Sequence, residues 1–225
     1  MINKEIQMVV FDMAGTTVDE QNVVYKTLHK ALNEYGVDVD LPTVLKLGAG
    51  KEKHQAIKDV LNFRKPNQLI ESETIFEAFK VLLNKAYKDL EVKPIKGVQR
   101  VLLNLREEGI KVVLNTGYNR EVATLLLEKL QWDEKIHYDA LITASDVVKG
   151  RPHPDMIFKA MELFNITDAS KVLKAGDSAI DIAEGKNAGC GITIGVLSGA
   201  QTQEQLEEEK PTYILNSLTA INEVF

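Results

Sequence analysis

An aspartate that ends a run of apolar residues is well placed for chemistry, and Asp12 does so in MVVFDMAGTTVDE. Ligands collect at the carboxyl ends of strands in open α/β sheets. A carboxylate held there can attack phosphorus and form an acyl-phosphate, which splits one difficult displacement into two. Read alone, Asp12 could equally cap the next helix. Gly15 lets the chain turn sharply after it. KAGDSAIDIAEGKNAG sets Asp177 after another apolar run, with Asp181 about one helical turn further on. Carboxylates from separate strand ends are the hard oxygen ligands that Mg2+ takes, and the Ala14 backbone carbonyl adds an oxygen that requires no particular side chain. The expected metal set is therefore Asp12, Ala14, Asp177 and Asp181. LNTGYNR offers the Thr116 hydroxyl and nearby backbone amides to phosphate oxygens, and KGRPHPD offers Arg151, whose fork of donors fits a phosphoryl group. Singly, Thr116 reads as a turn residue and Arg151 as a solvated charge. Four such ends in one order make a stronger case.

These residues need a sheet to hold them. Short apolar runs at Ile6 to Phe11, Lys111 to Asn115, Ala140 to Thr143, Val172 to Ala175 and Ile192 to Val196 alternate with segments of helical period, the pattern of a parallel α/β sheet. Val98, Val101, Leu102 and Leu105 form one apolar helical stripe, and Ile157, Met161 and Phe164 another. Gly109 and Gly189 stand where two of the intervening helical segments would terminate. The stretch from Asp19 to Glu91 differs, having helical spacing almost throughout: Val24, Leu28, Ala31 and Tyr35 fit one helix, and Ile75, Phe79, Leu82, Ala86 and Leu90 a longer one. The expected architecture is α/β, a three-layer Rossmann-like parallel sheet core from 1–18 and 92–225, with a helical cap at 19–91 inserted after the first strand. Lys93 and Pro94 mark the return to the core, since proline discourages helix at the residue before it.

Composition narrows the functions. The chain has 225 residues, 44% apolar and 27% charged, as in ordinary folded proteins. Its net charge of -6 argues against a nucleic-acid groove. A single cysteine, Cys190, excludes an internal disulfide, and no run reaches the ~18 apolar residues of a membrane span. The expectation is a cytoplasmic protein acting on a small molecule, without nucleic acid or membrane.

The ordered set Asp12, Thr116, Arg151 and Asp177 with Asp181 resembles the four motifs of the haloacid dehalogenase superfamily, over almost the whole chain. That resemblance implies a Mg2+-dependent hydrolase with an aspartyl-phosphate intermediate and a mobile helical cap. Phosphatases of the superfamily carry a second aspartate two residues after the nucleophile as acid and base. Here that position is Ala14, and general acid catalysis is worth about 10² to 10⁴ in rate. DMAGTTVD is similar to the first motif of the phosphonatase branch, which has alanine there. In that branch a cap lysine forms an imine with the substrate aldehyde, so that carbon–phosphorus cleavage leaves an enamine. LGAGKEKH resembles the lysine segment, with Lys51 and His54 as the pair in order and spacing. TGYNRE, with Gly117 and Tyr118, and GRPHP, with Arg151, resemble its later motifs. The implied substrate is phosphonoacetaldehyde or a related phosphonate, and the resemblance also implies a homodimer through the cap.

Other readings stay open. Asn22 stands where the branch has a cysteine, Leu47 where it has a methionine, and the carboxyl-terminal region is shorter. A phosphomonoesterase of the phosphoglycolate phosphatase type is the alternative, against which Ala14 weighs. A phosphate-binding protein without catalysis is a third reading, against which the intact Asp12 and Asp177 weigh. LGAGKEK departs from a P-loop, because Leu45 and Glu52 break the pattern and no strand precedes it. His29, His137 and His153 lack zinc spacing. Cys190 between glycines reads as a buried small side chain.

Overall fold

The computed structural model describes residues 6–64 and 71–223, so the expected domain limits at 1 and 225 lie outside the described residues. In chain order it contains β1 (Met8–Asp12), β2 (Val18–Asp19), α1 (Val23–Glu34), α2 (Leu41–Gly48), α3 (Lys53–Arg64), α4 (Ser72–Asp89) and β3 (Lys93–Pro94). There follow α5 (Val98–Glu107), β4 (Lys111–Thr116), α6 (Arg120–Leu130), β5 (Ala140–Thr143), α7 (Asp155–Leu163) and β6 (Val172–Gly176). The last elements are α8 (Ala179–Ala188), β7 (Ile192–Val196), α9 (Gln203–Glu207) and β8 (Tyr213–Leu215).

Six strands form one parallel sheet in the order β5-β4-β1-β6-β7-β8. Continuous apolar runs such as MVVFD are what a sheet covered on both faces requires, and every residue of β1 is buried. Two apolar layers cover the faces. One contains Phe11, Leu102, Leu114 and Leu173; the other contains Met8, Val10, Val113, Ile157 and Met161. The chain departs from β1 in both directions, which makes the ends of β1, β4 and β6 the switch point where a crevice opens. Register sets Asp12 beside Asn115. All five expected strands are present. β8 is an additional one that sequence patterning did not reveal, because its three residues, YIL, are too short to show a period.

The segment between Asp19 and Glu91 contains, among its described residues, four helices that pack against one another. Asp40 caps α2, accepting from the Thr43 amide at 2.9 Å, and Pro42 sits in its first turn. The most buried face of α4 is Ile75, Phe79, Leu83 and Tyr87, with the expected Leu82 and Leu90 partly buried against the same core. β2 and β3 pair antiparallel, Val18 with Pro94 and Asp19 with Lys93, so the two crossings into and out of this segment lie side by side.

Candidate active site

Asp12, at the last position of β1, has its Oδ1 held by Arg151 Nη1 at 2.7 Å. Among the described residues its other oxygen has no hydrogen-bond partner. Asp177 follows β6 and accepts the Ala200 amide at 2.6 Å. Asp181, in the first turn of α8, is bound by Arg151 at 2.8 Å, by Lys174 at 2.9 Å and by the Ser178 hydroxyl. Carboxylate oxygens of Asp12, Asp177 and Asp181 lie within 4.8 Å of one another, and all three side chains are buried. Residues far apart in sequence thus converge at the switch point.

The charges explain what such a cluster lacks. Asp12, Asp177, Asp181 and Glu184 lie together, and among the described residues their ion pairs are with Arg151 and Lys174 alone, so with all four carboxyls ionised the site would carry two negative charges in excess. Burial lifts the Asp12 carboxyl to about 6 against the opposing pull of Arg151. Burial, reinforced by the Asp12 and Asp181 charges, pushes Asp177 well above the usual carboxylate range. Burial would raise Asp181 too, but Arg151 and Lys174 hold it below its ordinary value. A divalent cation with oxygen preference answers this excess, so the donor set fits Mg2+.

Arg151 is placed differently from the expectation that its fork would serve a phosphoryl group. Its Nε binds Glu184 at 3.0 Å, its Nη1 binds Asp12 and Asp181, and its Nη2 binds the Asn115 carbonyl at 2.9 Å and the Asn115 side-chain oxygen. Every terminal nitrogen therefore already faces a protein acceptor. The residue positions Asp12. Thr116 closes β4, and its hydroxyl accepts the Tyr118 amide at 3.2 Å. Asn119 caps α6 through the Val122 amide at 2.9 Å. The Gly117 turn thus presents its backbone beside a helix start.

The α2–α3 loop of the insert packs directly on this site. Gly50 has φ +71°, and a Cβ there would lie 2.3 Å from Ile180 Cγ2 and 2.5 Å from Ser178 Oγ. A Cβ on Gly117 would lie 2.7 Å from the Gly50 carbonyl. Only bare backbone permits so close an approach between the α2–α3 loop and the core. Tyr25 fixes the loop, its hydroxyl oxygen accepting the Gly50 N–H at 3.0 Å.

The expected lysine and histidine do not meet at the cluster. Lys51 forms an ion pair with Asp59 at 2.5 Å and is half-buried on the insert. His54 stacks on Phe76 with centroids 4.9 Å apart, and its Nε2 lies 3.0 Å from the Ser72 hydroxyl. The i, i+3 spacing would place the pair on one helix face only if the helix spanned both, and α3 begins at Lys53. It is Lys53 that turns inward. Only 6% exposed, its amine sits 4.9 Å from the Tyr25 ring centroid and 5.3 Å from that of Tyr118. Among the described residues no carboxylate lies within ion-pair distance of it. Burial lowers its pKa to about 8, with the Asp12 charge the largest opposing influence.

Sequence reasoning also missed Lys174, Asn115 and Glu184, which are fully buried and tie Asp181 and Arg151 together. A signal existed for Lys174, since a lysine inside the strand VLKAG has no solvent to face.

Comparisons with known proteins agree with this arrangement. Residues 9–196 match the family model described as haloacid dehalogenase-like hydrolase. A phosphonoacetaldehyde hydrolase from Bacillus cereus (strain G9842) is 34% identical, covering 91% of this chain and 81% of its own. One from Latilactobacillus sakei subsp. sakei (strain 23K) is 30% identical over 87% of this chain and 77% of its own. Among solved structures, a phosphonoacetaldehyde hydrolase-like protein from Oleispira antarctica superposes with a TM-score of 0.83 at 23% identity, covering 98% of this chain and 91% of that one. A chain described as a predicted phosphoglycolate phosphatase from Haemophilus somnus gives 0.80 at 17% identity, with 98% of each covered, a likeness of fold.

Proposed function

Because this chain belongs to the haloacid dehalogenase-like hydrolases, we propose that it cleaves the carbon–phosphorus bond of a small phosphonate carrying a carbonyl next to the phosphonomethyl group. The observation that carries the reading is Lys53, a buried amine with no carboxylate partner among the described residues, in a site where Ala14 replaces an acid. In this reading the described residues of 19–91 act as the cap and bring that amine to the core.

The free oxygen of Asp12 attacks phosphorus while Arg151 fixes the carboxylate's other oxygen. Mg2+, held by Asp12, Asp177 and Asp181 with the Ala14 carbonyl, would offset the phosphoryl charge and draw the group toward Asp12. The Thr116–Gly117–Tyr118 turn orients phosphoryl oxygens through backbone amides, and Gly15 lets the first loop pass close to Asp177, where its missing Cβ would lie 2.3 Å from Oδ2. Lys53, neutral for a useful fraction of molecules near pH 8, condenses with the carbonyl carbon and releases water. The carbon–phosphorus pair then passes into an enamine rather than a bare carbanion. This supplies the leaving-group assistance that Ala14 cannot. His54 lies away from the amine, so its contribution is to pin α3 to α4 through Phe76 and Ser72.

The test is phosphate release from phosphonoacetaldehyde against phosphoglycolate, with borohydride added during turnover and the modified peptide mapped. Release from the phosphonate with a reduced adduct on Lys53 is expected. An adduct on Lys51 would reassign the amine, and phosphoglycolate as the better substrate, with no adduct, would replace the reading with ester hydrolysis.

A further inference from the structure

Beyond Lys53 and Tyr118 there is a second space. A cavity of about 220 Å³ lies between α4 and the loop that begins α6, with Lys53 and Tyr118 in its wall and Asp12 absent from its lining. Val24, Phe76, Phe79, Leu83 and Val122 give it an apolar lining, to which Glu52, Lys80, Asn84, Asn119, Glu121 and Ser145 add polar groups. Lys53 thus borders the cavity, and the Asp12 cluster lies apart from it. At about 30 Å³ for each water-sized group, the space holds roughly seven such groups.

Chemistry orders the substrate in the same way. When an amine condenses with the carbonyl of a 2-oxoalkylphosphonate, the phosphonomethyl arm leaves that carbon on one side and the remaining substituent on the other. With phosphorus at Asp12, the second arm points away from it. In the aldehyde this arm is a hydrogen and leaves the cavity unfilled by substrate. We propose that the cavity is a subsite for a carbon substituent on the carbonyl, and that the substrates it takes are ketones, 2-oxoalkylphosphonates with an apolar chain. This rests on the carbon–phosphorus cleavage proposed above.

The reaction balances without a further reagent. A 2-oxoalkylphosphonate and one water give the methyl ketone and inorganic phosphate. Imine formation releases one water, and two are consumed, one in hydrolysing the acyl-phosphate on Asp12 and one in hydrolysing the imine on Lys53. The enamine takes a solvent-derived proton at the carbon that carried phosphorus.

The experiment compares kcat/KM for phosphonoacetaldehyde with 2-oxopropyl-, 2-oxobutyl-, 2-oxopentyl- and 2-oxohexylphosphonate, in the native chain and in Val122→Phe and Leu83→Phe, which reduce the space by different walls. Expected is a rise of about fourfold for each methylene buried, after the intrinsic reactivity of each carbonyl toward a model amine is divided out. Either variant should lower the ratio of hexyl-ketone to aldehyde kcat/KM at least tenfold. Aldehyde cleavage with no gain along the ketone series, or with ratios unmoved in both variants, overturns the subsite while leaving carbon–phosphorus cleavage standing. Failure of every phosphonate, the aldehyde included, overturns both.

Discussion

Two lysines two residues apart have opposite environments: Lys51 is matched to Asp59, whereas Lys53 is buried against aromatic rings. Burial that lowers the Lys53 pKa to about 8 has a kinetic signature, because only the neutral amine attacks a carbonyl. For the phosphonate, kcat/KM should rise with pH and level off above an apparent pKa near 8. Lys53→Met should cost about 10³-fold or more, in the upper range for loss of a group that acts directly in the reaction. Lys51→Met should cost less than about tenfold, since its partner is Asp59 on the insert rather than a group of the Asp12 cluster. Steady-state rates from pH 6 to 9.5 decide this, and a flat profile would remove the amine from the mechanism. Glu20 makes a different prediction. It is 2% exposed, accepts the Val24 amide at 3.3 Å, and burial lifts its carboxyl to about 8 from an ordinary 4.5. The folded chain holds this proton where the unfolded chain has released it, so the contribution to stability is complete below pH 4.5 and is lost as pH rises toward 8. Glu20→Gln has no proton to lose. The Tm difference, variant minus native, should therefore grow by several degrees between pH 5 and 8.5 in thermal melts, and a constant difference would show that Glu20 is ionised in the fold.

At the scale of elements, the α2–α3 loop makes the tightest described approach of insert to core, backbone against side chain. Gly50→Ala combines a positive φ with a Cβ that would collide with Ile180 and Ser178. The loop must then move outward and take Lys53 with it. A fall of at least about tenfold in kcat/KM is expected, since displacement by about 1 Å costs such factors. The accompanying stability loss should be only about 1 kcal/mol. Activity and thermal denaturation measured on one preparation separate the two effects. A variant with native rates would show that the close approach is dispensable. Which elements the sequence disclosed follows the same logic. The parallel strands were legible as apolar runs, and the strand-end residues as acids and polar groups placed just beyond them. β8 was not, having three residues and a partly exposed face. Lys53 was hidden because spacing alone does not state where a helix starts, and α3 starts two residues after Lys51. Lys174, Asn115 and Glu184 act only through partners from other elements, so their pairing exists in three dimensions alone.

For the molecule as a whole, the fold concentrates unmatched negative charge where its two sheet halves diverge. Four carboxyl groups and two cations are buried together, and such a group costs stability whether it is buried charged or must hold a proton. The metal-free chain is therefore less stable than its apolar layers alone would make it, and a bound cation returns that stability. At a concentration one hundred times its dissociation constant, Mg2+ should add about 2.7 kcal/mol, or roughly 5 to 10 °C in Tm for a chain of this size. Asp177 provides the sharper test, because its carboxylate faces Asp12 and Asp181 and no cation side chain is paired with it among the described residues. Asp177→Asn keeps the shape and an acceptor for the Ala200 amide, and it escapes the cost, at neutral pH, of holding a proton that the unfolded carboxyl has released. Without metal, this variant should melt above the native chain. With Mg2+, the order should reverse, because the variant gains little while the native chain gains its full increment. Phosphate release should fall by several orders of magnitude in the same variant. Equal Mg2+ shifts in both proteins would place the cation elsewhere, and a variant less stable than the native chain without metal would mean that the Asp177 carboxyl is not strained by its surroundings and makes a hydrogen bond that the amide cannot replace.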